Sequence, residues 1–77
     1  METTARATRL ADKLTRDLLP TAKPIRTWAG FGNGQVCDGC DDPISRSDLE
    51  HEIDFEGGRT VRFHVACAVL WQRMVGR

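Results

Sequence analysis

Apolar and polar positions alternate with two different periods along this chain. Between residues 4 and 19 the apolar side chains Ala7, Leu10, Ala11, Leu14 and Leu18 recur at helical spacing. A step of about 100° per residue places them on one face of a helix. Arg6, Arg9, Lys13 and Arg16 fall in an arc of roughly 80° on the opposite side. Thr3 or Thr4 supplies the start cap, and Pro20 stops the helix. The basic stripe reads as a solvated face, with a phosphate-tracking face as the alternative.

Further on, the period falls to two. Leu49, His51, Ile53 and Phe55 alternate with Glu50, Glu52, Asp54 and Glu56, the pattern of a half-buried strand with an acidic outer face. Gly57-Gly58 turns the chain, and Val61 and Phe63 continue the apolar face in a second strand. Opposite residues of an antiparallel pair share a face. A two-residue Gly57-Gly58 loop would set Ile53 against Arg62 and mix the faces. A three-residue loop, Gly57 to Arg59, sets Phe55 against Val61, Ile53 against Phe63 and Asp54 against Arg62. A closing helix follows from His64 to about Val75, with Val65, Leu70, Trp71, Met74 and Val75 apolar and Gly76 as its stop.

Residues 20–36 carry Pro20, Pro24, Gly30, Gly32 and Gly34 and read as an ordered linker. Its apolar anchors Ile25, Trp28 and Phe31 are expected to lie across the module that follows. An exposed aromatic recognition patch is the alternative.

All three cysteines of the chain fall in one pattern with a histidine. Cys37-Asp38-Gly39-Cys40 is followed, after 23 residues, by His64-Val65-Ala66-Cys67. Two residues between ligands let each pair converge on one ion from a tight turn or one helical turn. The set Cys37, Cys40, His64 and Cys67 predicts a closed, four-ligand Zn²⁺ site, one per chain. Gly39 is expected to adopt a backbone angle that frees N–H groups toward the thiolates, and Ile44 to pack beneath the knuckle. His51 is the competitor for the fourth position, lying opposite Val65 in the preferred register. A redox Cys-x-x-Cys would call for a βαβ setting that a chain this short does not supply.

The 77 residues make one domain, divided as residues 1–36, an N-terminal helix (about 4–19) with its linker, and residues 37–77, the metal module. A chain this small buries only about 60% of its unfolded surface, so its core alone is marginal. Structural zinc contributes on the order of 10–16 kcal/mol of coupled binding and folding. The second half is therefore expected to be unfolded without metal. Three cysteines argue against a disulfide scaffold. No signal peptide or membrane span is read. A cytoplasmic, reducing compartment is expected, with no membrane partner. Net charge is zero, yet residues 1–36 hold six basic and three acidic residues, and residues 37–77 five and eight. An acidic metal module is a poor general polyanion binder.

The order of knuckle, hairpin and ligand-bearing helix is the treble-clef arrangement in a small α+β domain. Cys37-x2-Cys40, Ile44, the alternating strand, Phe63 directly before His64-x2-Cys67, and Trp71 on the closing helix resemble LIM-type and PARP-type zinc fingers. They are still more similar to small stand-alone bacterial zinc-finger proteins of unassigned function. The resemblance covers residues 37–71. LIM fingers imply protein binding and PARP-type fingers DNA-break binding. The second zinc site usual in LIM modules is absent here. The PARP-type insert is longer and its DNA-facing side basic, whereas this hairpin is acidic. The expected function is non-enzymatic: a zinc-supported interaction module for a protein partner, as monomer or homodimer. Nucleic-acid contact through Arg6, Arg9, Lys13 and Arg16 is one alternative, and zinc or redox sensing by the thiolates is another.

Overall fold

The computed structural model describes residues 3–76 as two helices around one three-stranded sheet. The elements run α1 (Thr3–Thr15), β1 (Arg26–Phe31), β2 (Leu49–Asp54), β3 (Thr60–His64) and α2 (Val65–Met74). The sheet is antiparallel throughout, in the order β1-β2-β3. Among the described residues, no helix is long and apolar enough to cross a membrane.

α1 ends four residues before the expected stop. Asp17 enters the left-handed region at φ 58°. Leu18 N–H donates to Lys13 O at 2.8 Å, and Asp17 N–H to Leu14 O at 3.1 Å. These are the two hydrogen bonds of a Schellman motif, which ends a helix without proline. The apolar stripe shifts accordingly. Leu10 is fully buried and Leu14 packs against the core, but Leu18 is exposed and Leu19 takes its place inside. Thr4 lies within the helix instead of capping it, and the side chain of Thr3 lies outside the described residues.

The hairpin keeps the expected faces in a different register. Ile53 stands opposite Val61, His51 opposite Phe63 and Glu52 opposite Arg62. This is a slip of two residues, so every side chain keeps its side of the sheet. Phe55 N–H donates to Arg59 O at 2.8 Å, which makes the loop Glu56-Gly57-Gly58. The loop has the expected three residues but begins one earlier. Gly57 and Gly58 both sit at positive φ, 91° and 86°, where a side chain would be strained.

Residues 26–31 are not linker. They form β1 and pair along all of β2, from Arg26 opposite Asp54 to Phe31 opposite Leu49. Ile25, Trp28 and Phe31 are therefore not laid across the metal module; they are 59%, 55% and 71% exposed. The exposed-patch alternative describes them better. Both faces of β1 are open to solvent.

The core lies between the sheet and α2. Trp71 is fully buried and meets Phe55 edge-on, with ring centroids 5.8 Å apart, and Phe63 at 5.9 Å. Its indole N–H donates to Pro20 O at 2.8 Å, which satisfies the polar end of the ring and pins the segment after α1. Arg59 reaches the same segment through Leu18 O at 2.8 Å.

Candidate metal centre

The knuckle is a closed turn sewn to β3. Cys37 N–H donates to Asp42 O at 2.9 Å, and Asp41 N–H to Cys37 O at 3.0 Å. Asp38 N–H donates to Arg62 O at 2.8 Å, while Arg62 N–H returns a bond to Asp38 Oδ2 at 2.8 Å. The positive φ expected at Gly39 falls instead on Asp41, at 69°. Gly39 is needed for space: a Cβ there would lie 3.2 Å from Leu10 Cδ1 and Cγ and 3.3 Å from Phe63 Cδ1. Ile44 is fully buried, as expected.

His64 closes β3 and caps α2, and Cys67 stands in the first turn of α2. The strand-to-helix junction thus aims both at the knuckle. The donor atoms of Cys37, Cys40, His64 and Cys67 all lie within 4.8 Å of one another, and all four residues are buried. A tetrahedron with metal–sulfur bonds of about 2.3 Å has edges of about 3.8 Å, so a small contraction closes the shell around one ion. His64 Nδ1 is 3.4 Å from Cys40 Sγ. Its Nε2 lies 3.1 Å from Pro43 O. A carbonyl only accepts, so Nε2 carries the proton and Nδ1 is left as the donor atom toward the cluster. The residues fit a metal ion.

The thiols share protons unequally. The hydrogen bond from Cys67, with backbone N–H groups of Cys40, His64 and Gly39, draws Cys37 down to about 4, against the opposing effect of burial. The same hydrogen bond pushes Cys67 up, and burial adds to it. Burial raises Cys40. Cys37 is the thiol whose ionised form the site favours most, and a cation held here would have to displace the protons of the other two.

The basic face of α1 divides. Arg9 donates from Nη1 to Cys40 O, and Lys13 from Nζ to Asp38 O at 2.7 Å. Lys13 also pairs with Asp41. Arg9 is still exposed and Lys13 partly buried, yet both clamp α1 across the knuckle and bring positive charge to a cluster that would be formally −1 with a divalent ion. Arg16 stays on the surface, paired with Asp12 at 3.4 Å. Arg6 is half-buried. Leu10 follows Arg9 into the core, so the clamp flanks the apolar stripe. Trp28 lies on the outer sheet face, where it donates to Asp54 Oδ2 at 3.3 Å and sits 5.7 Å from the Arg26 guanidinium.

His51 stands opposite Phe63 and Ala29, outside the cluster. Half of the acidic strand face is paired: Glu52 with Arg62 at 2.9 Å and Asp54 with Arg26 at 3.5 Å. The Pro43 carbonyl left no trace in the sequence, because a backbone acceptor has no residue signature. The alternation of Thr27, Ala29 and Phe31 with Trp28 and Gly30 was the signal for β1, masked by three nearby glycines. Comparison with known protein families, with curated proteins and with solved structures finds no match to this chain.

Proposed function

We propose that this chain is a non-enzymatic Zn²⁺ protein whose metal is structural and whose module binds a protein partner. One observation carries the reading: four buried donors from the chain itself lie within 4.8 Å of one another, enough to make a complete shell, with the imidazole already oriented by Pro43 O. No position is left for water or substrate, so hydrolytic zinc chemistry has no place in it. The donor set of three sulfurs and one nitrogen supports zinc over hard, oxygen-seeking divalent ions. Full burial of all three cysteines supports a structural ion over an oxidant sensor, which needs accessible thiolate. The exposed apolar residues of β1 support a protein partner. Engagement of Arg9 and Lys13 with the knuckle leaves less of the basic stripe for phosphates.

X-ray absorption on the purified protein should give one zinc per chain in a shell of three sulfurs and one nitrogen. His64→Ala should lose the cobalt charge-transfer spectrum of that shell, and His51→Ala should keep it. Two or fewer sulfurs, or the reverse behaviour of the two histidines, would falsify the reading.

A further inference from the structure

β1 is an open edge. Gly32 N–H donates to Asp48 O at 2.9 Å, continuing the ladder in which Arg26 faces Asp54. Such bonds join hydrogen-bonded pairs only, and these alternate along an antiparallel ladder. Arg26, Trp28 and Gly30 therefore turn their backbone groups toward β2. Thr27, Ala29 and Phe31 turn theirs outward, where no described residue receives them. Edge strands are usually guarded by lysine, proline or a bulge. Here Ile25 N–H also reaches Asp54 O, a bulge at the start of the strand. From Thr27 to Phe31 there is no charge and no proline.

We propose that this edge pairs with the β1 edge of a second copy, antiparallel about a two-fold axis at Ala29, to make one continuous six-stranded sheet. The inference rests on the reading of the chain as an interaction module and names its partner. The register follows from the strand itself. A two-fold normal to the sheet keeps each face on its own side, so paired residues must have the same parity. Centring on Ala29 sets Thr27 against Phe31 and Ala29 against Ala29, each pair contributing two N–H···O bonds from outward-facing groups. Centring on Trp28 would push one pair beyond the strand, to Ile25.

Side chains agree with that register. Trp28 falls opposite Gly30 of the second copy. A Cβ built on Gly30 meets nothing within 4 Å, so the face above it is open for an indole. An aromatic ring across from an edge glycine covers its bare backbone. On the other face Phe31 lies across Thr27 of the second copy. Electrostatics do not oppose the pairing. The chain has zero net charge. Strands about 4.8 Å apart put the two acidic β2 strands about 14 Å from each other, beyond a Debye length at physiological salt. A contact confined to one edge strand falls at the low end of interface sizes, about 1,000 Å² in total, the range of transient association.

The test is sedimentation velocity of the zinc-loaded full chain over a concentration series. A monomer–dimer equilibrium in the micromolar range is expected. Ala29→Pro removes an outward N–H without touching a β1–β2 bond, and Gly30→Lys fills the place of the incoming Trp28. Both should be monomeric at concentrations where the parent is dimeric, with one zinc bound and an unchanged far-UV spectrum. Zinc content in the same samples separates this idea from the metal reading. Hydrogen-bonded Cα pairs lie about 5.5 Å apart, within disulfide reach. Ala29→Cys should therefore cross-link on mild oxidation, whereas Trp28→Cys should not. A parent monomeric at every concentration overturns the proposal. So does a dimer that survives both edge variants, or a monomer that takes up an unrelated extended peptide on this edge.

Discussion

Replacing Leu10 and Gly39 singly and together tests the seat of α1 directly. Leu10 is fully buried, and its tip occupies the space over Gly39 and Phe63. Leu→Ala in a core costs about 2–5 kcal/mol, more where the walls cannot collapse. These walls are stiff, because the knuckle is held by the Asp38–Arg62 bonds and its two cysteines are fully buried. Leu10→Ala should therefore cost about 3–4 kcal/mol. Gly39→Ala adds a methyl at 3.2–3.3 Å from Leu10 and Phe63, tighter than ordinary contact. Overpacking of that kind costs about 1–3 kcal/mol. In the double variant the new methyl enters the space that Leu10 vacates. The pair should then be less destabilising than the sum by about 1–2 kcal/mol, the range seen for residues in contact. The assay is denaturant unfolding of all four proteins at one fixed free-zinc concentration, since bound metal adds to apparent stability. Additivity to within about 0.5 kcal/mol would show that Leu10 does not rest on Gly39. The docked position of α1 would then be wrong.

Three further outcomes follow from other contacts. Arg9→Gln with Lys13→Gln should destabilise the chain by about 1–2 kcal/mol in the same assay, because charged donors leave the Cys40 and Asp38 carbonyls; Arg16→Gln should be nearly silent. Gly32→Ala should fail to fold in zinc, since its Cβ would meet Ile44 Cγ2, Ile44 O and Ser45 O at 2.6 Å, whereas Gly30→Ala should leave the thermal midpoint of the monomer unchanged or higher. Asp54 is held below the ordinary carboxylate value by hydrogen bonds from Thr60 and Trp28 and by Arg26 and Arg62. A lowered folded value means its contribution is present above the unfolded value of about 3.9 and is lost as pH falls through the folded one. Asp54→Asn should flatten the stability–pH profile below about pH 4, and an unchanged profile would remove the carboxylate from the account.

The four-residue cluster was legible because its signal is chemical. Two x2 pairs with no cysteine left over identify four residues whatever the backbone does between them, and the structure gathers the same four. The strand faces were legible for a related reason: a slip of two residues keeps the alternation of Ile53 and Phe63 with Glu52 and Arg62 intact. What the sequence hid were local backbone choices. Asp17 ends α1 by entering the left-handed region, and nothing in Arg16-Asp17-Leu18 distinguishes that from one more helical turn. β1 was lost among glycines that usually mark loops, although Gly30 and Gly32 play opposite parts, one facing open space and the other pressed against Ile44. The clamp of Arg9 and Lys13 was hidden because a charge opposite an apolar stripe normally meets water.

The tethers of α1 also fix when it can form. Arg9 reaches forward 31 residues to Cys40, Arg59 reaches back 41 residues to Leu18, and Trp71 reaches back 51 to Pro20. On a ribosome adding about 5–20 residues per second, α1 emerges about 3–11 s before Trp71 does. A 13-residue helix is marginal alone in water. α1 is thus made before the residues that secure it. Its leucines wait in the open until the knuckle has closed, so if that closure needs the proposed ion, metal supply during translation would govern the ordering of α1 as well as of the residues that hold the ion.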